Sequence, residues 1–589
     1  MNFYDDPNAF QKFLSDKRLI DDIYNSIKQK DKGVAVVTAL EILMKTKKLP
    51  VIRNDPKHEG VSIHFRKLGD KACEEGDYKK ALYFYNAALR RAPKNSNALL
   101  EAYFGRSSLL FHTKNNYWPN CSIDIDICLA LDNGAYESRL KEMKAECLFD
   151  KQLLEYGNPS RNTFIENFFT IQGKTQKQVP SVSAAVDFII KDGRTKIIAQ
   201  KNIPLGTLVA LETAYVGLLN PENQIRACHY CHAFSLNLIP CDNCNYALFC
   251  NEECKRLCYE EYHDVECHII HVFHVLCAHN LLYWLSVKAA IKLKKKCTWE
   301  EFKIISSHLG VKKMNSSLIN EVYDLNNKLS ILNVNTDKHF VFGTTYNAIF
   351  IYATIIHYLE SVPSFFPSGE EKADAIRSLG RVLLHLNMTM GTVAIETSLV
   401  NSTAHDKITN VPEKNVGVFS FTSKLKHSCD SNLYVVGLNN KVALIALKPI
   451  KPGDELTISH VGHWYEHTYK NRTLHLFTKT QIRCQCVVCV EWGEKKLRNA
   501  KMNNQQKKSY NNFNFLKAQL FLEFAGTNRR TETLYKESCS CLTAFSDQPN
   551  TKEHYELFQD FKEAIEYLQC IATNNKTLLE PFRYPGTYI

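Results

Sequence analysis

At 589 residues the chain is long enough for roughly three or four domains, each with its own buried core, which excludes a small metal- or disulfide-stapled scaffold. Its 73 basic and 62 acidic residues leave a net charge of +11, but the excess is dispersed; the densest cluster, Lys292 to Lys296, reads as a solvated helix end, so no specific nucleic-acid site is expected. Twenty-one cysteines without a secretory leader point to a reducing compartment, cytoplasm and nucleus, where thiols serve metals and cores rather than disulfides.

Residues 1–55 read as a segment of short helices, with Asp5, Asp6 and Pro7 as a helix start and no evident chemistry. From there the pattern changes. Phe65, Leu68, Gly69, Ala72, Tyr78, Ala81, Tyr85, Ala88 and Pro93 fall at the small and aromatic positions of a helix-turn-helix repeat of about 34 residues, so residues 60–155 resemble tetratricopeptide repeats. Gly69 and Ala81 would let paired helices approach, and Tyr85 would fill the gap between pairs. A looser second copy puts Cys121, Ile125, Cys128 and Leu129 on an inner face. Two repeats seldom stand alone, so the array is expected to pack on the rest of the chain. Where peptide-binding repeats carry asparagines that clamp acidic tails, this chain has Asp70 and Gly105; no such clamp is expected.

Tyr156 to Val182 reads as a linker. Strand character follows in Ala185–Ile190, Lys196–Ala199 and Leu208–Glu212, around the turn Pro204-Leu205-Gly206. A near copy lies downstream: Ala443–Ala446, the turn Pro452-Gly453, then Glu455–Ser459. Two β halves, residues 185–225 and 416–466, therefore flank everything between them.

Between them, residues 228–267 hold eight potential metal ligands in a stretch too short for an apolar core. Close pairs such as Cys228/Cys231 and Cys241/Cys244 each supply two ligands from one tight turn, and four pairs make two tetrahedral zinc sites. Adjacent pairs could share an ion, but the interleaved assignment is preferred. It puts Cys228, Cys231, Cys250 and Cys254 on one zinc, and Cys241, Cys244, His263 and Cys267 on the other. This order and spacing resemble a MYND zinc finger, which implies recognition of short proline-containing segments of partner proteins. Residues 268–415 read as a helical insertion. Its most apolar stretch, Phe273–Leu293, carries His279, Asn280, Ser286 and Lys288, which a bilayer would penalise, so one amphipathic helix inside the protein is expected and no membrane association.

The second informative stretch runs from Ser423 to Cys489: S-K-L-K-H-S-C-D-S-N, then G-D-E-L-T-I-S-H, then C-Q-C-V-V-C. Cys484, Cys486 and Cys489, in a segment spanning 467–495, need a fourth zinc ligand, and Cys429 is the natural candidate. Residues 496–589 read as a C-terminal helical region, basic over Lys495–Lys508 and amphipathic over Phe513–Glu523 and Glu553–Cys570, with Cys539 and Cys541 as core thiols.

The order of repeats, half SET domain, MYND finger, helical insert, second half and terminal cysteines resembles the SET and MYND domain-containing protein-lysine methyltransferases, the N-terminal repeats pointing to the fourth subfamily. The resemblance covers about residues 60–495. It implies an α+β multidomain fold with a β-rich SET domain threaded as a pseudoknot, three structural zinc ions, S-adenosylmethionine as cofactor, and a monomer acting on a lysine of a histone or other protein. In the family, an asparagine of an N-H-S-C motif helps hold the cofactor and a tyrosine ending E-L-T-x-S-Y orients the amine; here those positions are Lys426 and His460. The family's glycine pair becomes Gly193 followed by Arg194, the asparagine of its C-N-A motif becomes Gly391, and an aromatic beside adenine becomes Ile482, while Ser423 and His427 are kept. A Lys426 ammonium aimed inward, about 5 Å from a sulfonium, would cost roughly 3 kcal/mol at an effective dielectric near 20; its long stem also allows it to reach solvent. Tyr465 and Tyr469 are candidate substitutes for the missing hydroxyl. Two readings follow: a methyltransferase of weakened activity, or a SET scaffold without catalysis that serves as a finger-and-repeat adaptor in transcriptional repression.

Overall fold

The computed structural model describes residue 21 and residues 32–573, except 114–117, 133, 156–163, 165–166, 178, 192–193, 279, 310–341, 399–413, 481–482, 494–496 and 523–527. Gly193 and Ile482 therefore lie outside the described residues. Helix α1 (Lys32–Lys45) buries Val36, Ala39, Leu40 and Leu43. It packs against two later helices, α11 (Phe342–Leu359) and α12 (Glu371–Val393). Gly380 of α12 permits this approach, since a Cβ there would stand 2.9 Å from that of Val36.

The repeat array is α2 (Glu59–Glu74), α3 (Tyr78–Arg91), α4 (Asn97–His112), α5 (Trp118–Leu131) and α6 (Glu137–Glu155). Asp77 caps α3 by accepting from the Lys80 amide, and Ser96 caps α4 by accepting from that of Leu99. Tyr85 is the wedge between helix pairs. A Cβ at Gly69 or Gly105 would lie 2.8 or 2.5 Å from its ring, so both positions must stay bare. Cys121, Ile125 and Cys128 are buried in the array's core and Leu129 packs at its margin.

The β region is built from both halves. Hairpin β1 (Val186–Lys191) and β2 (Arg194–Ala199) stands beside an antiparallel sheet ordered β10 (Leu433–Leu438), β11 (Lys441–Ala446), β3 (Leu208–Thr213). The two proline-glycine turns meet through reciprocal Ile203 and Ile450 backbone bonds of 2.9 Å. Strand β11 alternates between two cores: Leu444 and Ala446 face the SET interior, while Ala443 and Ile445 face the C-terminal helices. Those helices, α14 (Asn504–Leu522), α15 (Asn528–Ala544) and α16 (Lys552–Thr573), cover the outer face with Phe545, Leu557, Phe558, Phe561 and Ile565.

Three expectations are corrected. Phe273–Leu293 is two helices, α8 (Asp264–Leu276) and α9 (Leu281–Lys295), because Asn280 turns its side chain back to cap the Leu282 amide. The insertion also contains α10 (Trp299–Ser307) but is not helical to its end: β7 (Ile395–Ser398) pairs with β8 (Lys414–Val418), which pairs with β4 (Val216–Leu218). Of the basic stretch, the described residues 497–503 are not helical, and the helix begins at Asn504. Among the described residues no helix is long and apolar enough to cross a membrane.

Candidate functional site

Among the described residues three four-ligand clusters of metal-binding side chains form, two with the memberships of the interleaved finger assignment and one closed by Cys429, beside a three-ligand group of His229, Cys258 and His263 that shares His263 with the second. Cys228, Cys231, Cys250 and Cys254 make one; Cys241, Cys244, His263 and Cys267 the second; Cys429, Cys484, Cys486 and Cys489 the third. The finger's scaffold is the short hairpin β5 (Ile239–Pro240) and β6 (Leu248–Phe249) followed by α7 (Glu252–Cys258). Sulfur separations discriminate a metal site from a loose group of thiols. A tetrahedron of thiolates each 2.3 Å from an ion has edges of about 3.8 Å. The structure gives 3.7 Å for Cys231–Cys250, 3.5 Å for Cys250–Cys254, 3.6 Å for Cys241–Cys267 and 3.5 Å for Cys429–Cys489. These clusters fit a tetrahedral ion. The Tyr259 hydroxyl, 2.8 Å from Cys241 Sγ, and amide N–H groups of Asn243 and Cys244 satisfy further sulfur lone pairs.

The third cluster closes a thread. Strand β9 (Lys426–His427) runs parallel to β12 (Thr457–Ile458), a pairing between segments about thirty residues apart in sequence that needs a crossover connection and fits the threaded arrangement the resemblance implies. It is extended by Ser428 N–H on Ile458 O at 3.0 Å and Trp464 N–H on Cys429 O at 3.1 Å. Strand character expected over Glu455–Ser459 is confined to Thr457–Ile458. Asn432 explains why: its side chain donates to Glu455 O at 2.9 Å and accepts from Thr457 N at 2.8 Å, replacing ladder bonds. At its start the thread is held by fully buried Glu212, which accepts from Phe421 N, Thr422 N and Thr422 Oγ1. Neither Asn432 nor Glu212 stood out in the sequence, although a glutamate inside the apolar run L-V-A-L-E-T was a usable signal.

The candidate cofactor and catalytic residues divide. Lys426 is exposed and its ammonium donates to Glu455 at 3.2 Å, out toward water. His427 is half-buried, its pKa pushed down to about 4 by burial. Its Nδ1 accepts from the His460 amide at 3.2 Å, and the two imidazoles stack with centroids 5.6 Å apart. Ser423 closes its own turn by donating to Ser420 O. Gly391 sits near the end of α12, and a Cβ there would only touch Leu282 at 3.6 Å, so this position is not forced to be glycine. The Tyr465 hydroxyl is engaged by His554 Nδ1 and Pro549 O in the C-terminal region, away from the place of the absent phenol, and Tyr469 opens α13 (Tyr469–Thr480) with its ring under Arg472. A titratable group not singled out before is Lys424, whose ammonium is pushed down to about 7 by burial despite the nearby Glu212.

A cationic methyl-sulfonium cofactor beside His427 would be repelled by a neighbouring cation, and neither the turned-out Lys426 nor the neutral His427, whose Nε2 lies 3.5 Å from Cys429 Sγ, supplies one.

A SET domain family model matches residues 194–461. Protein-lysine N-methyltransferase SMYD4 of Homo sapiens is 22% identical over 546 residues, covering 74% of this chain and 67% of that protein. The protein of the same name from Danio rerio is 25% identical over 245 residues, 39% of this chain and 32% of its own length. A SET and MYND domain-containing protein of Dictyostelium discoideum is 36% identical over 83 residues, 13% of this chain and 23% of its own length. The chain thus spans between 23% and 67% of the length of these curated relatives.

Proposed function

We propose that this chain, which belongs to the SET and MYND domain proteins and is similar to protein-lysine N-methyltransferase SMYD4, transfers a methyl group from S-adenosylmethionine to a lysine of a protein substrate. The observation that carries this reading is the outward Lys426. The Lys426 replacement, which would repel a cationic cofactor if its ammonium turned inward, is paired with Glu455 at the surface instead.

When bound, the cofactor would supply an electrophilic methyl on a sulfonium, available to a neutral substrate amine with a neutral thioether as the leaving group. The chain's residues supply position. The β9–β12 thread and Asn432 hold the Lys426–His427 backbone rigid. His427 stays neutral and fixes the His460 amide, so the His460 ring is anchored at its base and by stacking. Its imidazole then orients the incoming amine where the family uses a phenol, and the leaving proton passes to water. Gly391 and Ser423, like Gly193 and Ile482, are assigned to the cofactor by their sequence positions. Three structural zinc ions on the three clusters, recruitment of protein substrates or proline-containing segments by the repeats and finger, and work in cytoplasm and nucleus as a monomer belong to the same proposal.

Isothermal titration of zinc-loaded protein with S-adenosylmethionine and with its demethylated product decides the matter. Micromolar binding is expected. Affinity weaker than about 1 mM for both would remove the enzyme and leave the adaptor. Lys426→Asn in the same titration is expected to change Kd less than about fivefold, since an exposed ion pair is worth under about 1 kcal/mol.

A further inference from the structure

The densest polar cluster outside the thread centres on Glu266 of α8. Its carboxylate is fully buried. Oε2 lies 2.8 Å from both His229 Nε2 and His263 Nδ1, and Oε1 accepts from Trp284 Nε1 at 2.8 Å, with Lys288 Nζ 3.9 Å away. Lys288, equally buried, donates to Gly217 O at 3.1 Å and stands 4.2 Å from the centre of the Tyr262 ring. The methyl-transfer reading uses none of these groups.

His263 connects them to the second metal cluster. Its Nε2 faces the thiols, 3.7 Å from Cys244 Sγ, while Nδ1 faces Glu266. A neutral imidazole carries one N–H and one lone pair, so ligation through Nε2 requires the proton on Nδ1. A carboxylate at 2.8 Å fixes that tautomer, holds the ring plane and raises the basicity of the ligating nitrogen. Burying a carboxylate costs several kcal/mol unless it is paired and hydrogen-bonded; three N–H donors and Lys288 meet that condition. We infer that Glu266 is the positioning residue of the second metal centre, selecting the His263 tautomer that binds the ion. Through Trp284 and Lys288 it ties that centre to α9 and, by Gly217, to SET strand β4.

The inference rests on the zinc part of the proposed function, and the experiment separates the two. Zinc release from the intact chain is followed with a colorimetric chelator, in wild type and in Glu266→Gln. Wild type should release three ions per chain; fewer would sink the zinc reading itself. In Glu266→Gln one ion of the three should leave about 10 to 100 times faster, the other two at wild-type rates. Release unchanged for all three, or faster for all three alike, overturns the inference. The same substitution is then made in a His263→Cys background, where a four-thiolate centre has no tautomer to select. There Glu266→Gln should leave release unaffected; a loss of equal size, or a double variant that does not fold, would make Glu266 a general structural residue and not a partner of His263.

Discussion

Lys424 and Lys426 stand two residues apart, the first half-buried and the second exposed. Lys426 finds Glu455 at the surface, whereas desolvation of Lys424, offset only in part by nearby Glu212, lowers the tendency of its ammonium to stay charged. A lysine whose pKa falls from 10.5 to about 7 on folding gives up its proton more easily in the folded chain than in the unfolded one. Below pH 7 both states are charged and the folded state carries the full cost of the buried cation. Between about pH 7 and 10.5 the unfolded chain binds more protons, so this group makes stability rise with pH, by at most about 1.4 kcal/mol per unit. Lys424→Met should therefore be more stable than wild type at pH 6, with the gap closing toward pH 9. Thermal unfolding of both proteins across that range checks it; parallel curves would place the Lys424 ammonium in solvent.

Elements are joined by a few buried polar contacts whose magnitudes exceed those of the surface pairs. Arg106 of α4 is fully buried and makes a bidentate pair with Asp124 of α5, at 2.7 and 2.8 Å, while also donating to Asn86 Oδ1 of α3 and to Leu238 O of the finger. Asn237 donates to Asp124 and Asn86 to Ile225 O, so the repeats hang on the finger's first loop through one network. Asp124→Ala leaves a buried guanidinium without its counter-charge and should cost about 3 to 5 kcal/mol. Lys94→Ala, which breaks the exposed Lys94–Asp242 contact between repeats and finger and leaves Asp242 its Lys255 partner, should cost under about 1 kcal/mol. Urea denaturation of the two variants compares them directly, and similar midpoints would refute the ranking. None of this network was legible in the sequence. Arg106 and Asp124 each occupy helices where a charge reads as a wetted face, and their pairing depends on how α4 and α5 cross. The Gly69–Tyr85–Gly105 wedge was legible in part, because small and aromatic residues recur at the repeat's own spacing. The cysteine pairs were more legible still, since ligand spacing is a local property of one turn. The two-residue β9–β12 pairing was not, because so short a strand carries no periodicity and its partner is distant. The break at Asn280 was missed although its capping side chain was visible, because hydropathy was averaged across it.

On the scale of the whole molecule, the clusters sit where separate parts of the chain meet. The first two stand between the repeats and the helical insert, whose cores each include residues of the finger such as Leu236, Cys228 and Cys241. The third joins the thread at Cys429 to the segment leading to the C-terminal helices. If metal supplies the cohesion that forty residues of finger cannot obtain from apolar burial, its binding energy is folding energy for the surroundings as well. Exhaustive dialysis against a strong chelator should then expose four thiols from the first cluster, three from the second and four from the third, eleven in all. Loss of the finger should also withdraw the Leu238 carbonyl that Arg106 depends on and loosen the adjoining Ile225 carbonyl that Asn86 uses, so limited proteolysis should begin within the repeat array as well as in the finger. The C-terminal helices bear on the outcome differently: their contact with β10, β11 and β3 is mainly apolar, joined by Gln569 donating to Gly437 O, and needs no ion. Cleavage there should lag behind. Chelated protein that showed six or fewer newly reactive thiols, or that kept its repeats resistant, would mean that the cysteine clusters close without metal and that cohesion comes from the apolar cores alone.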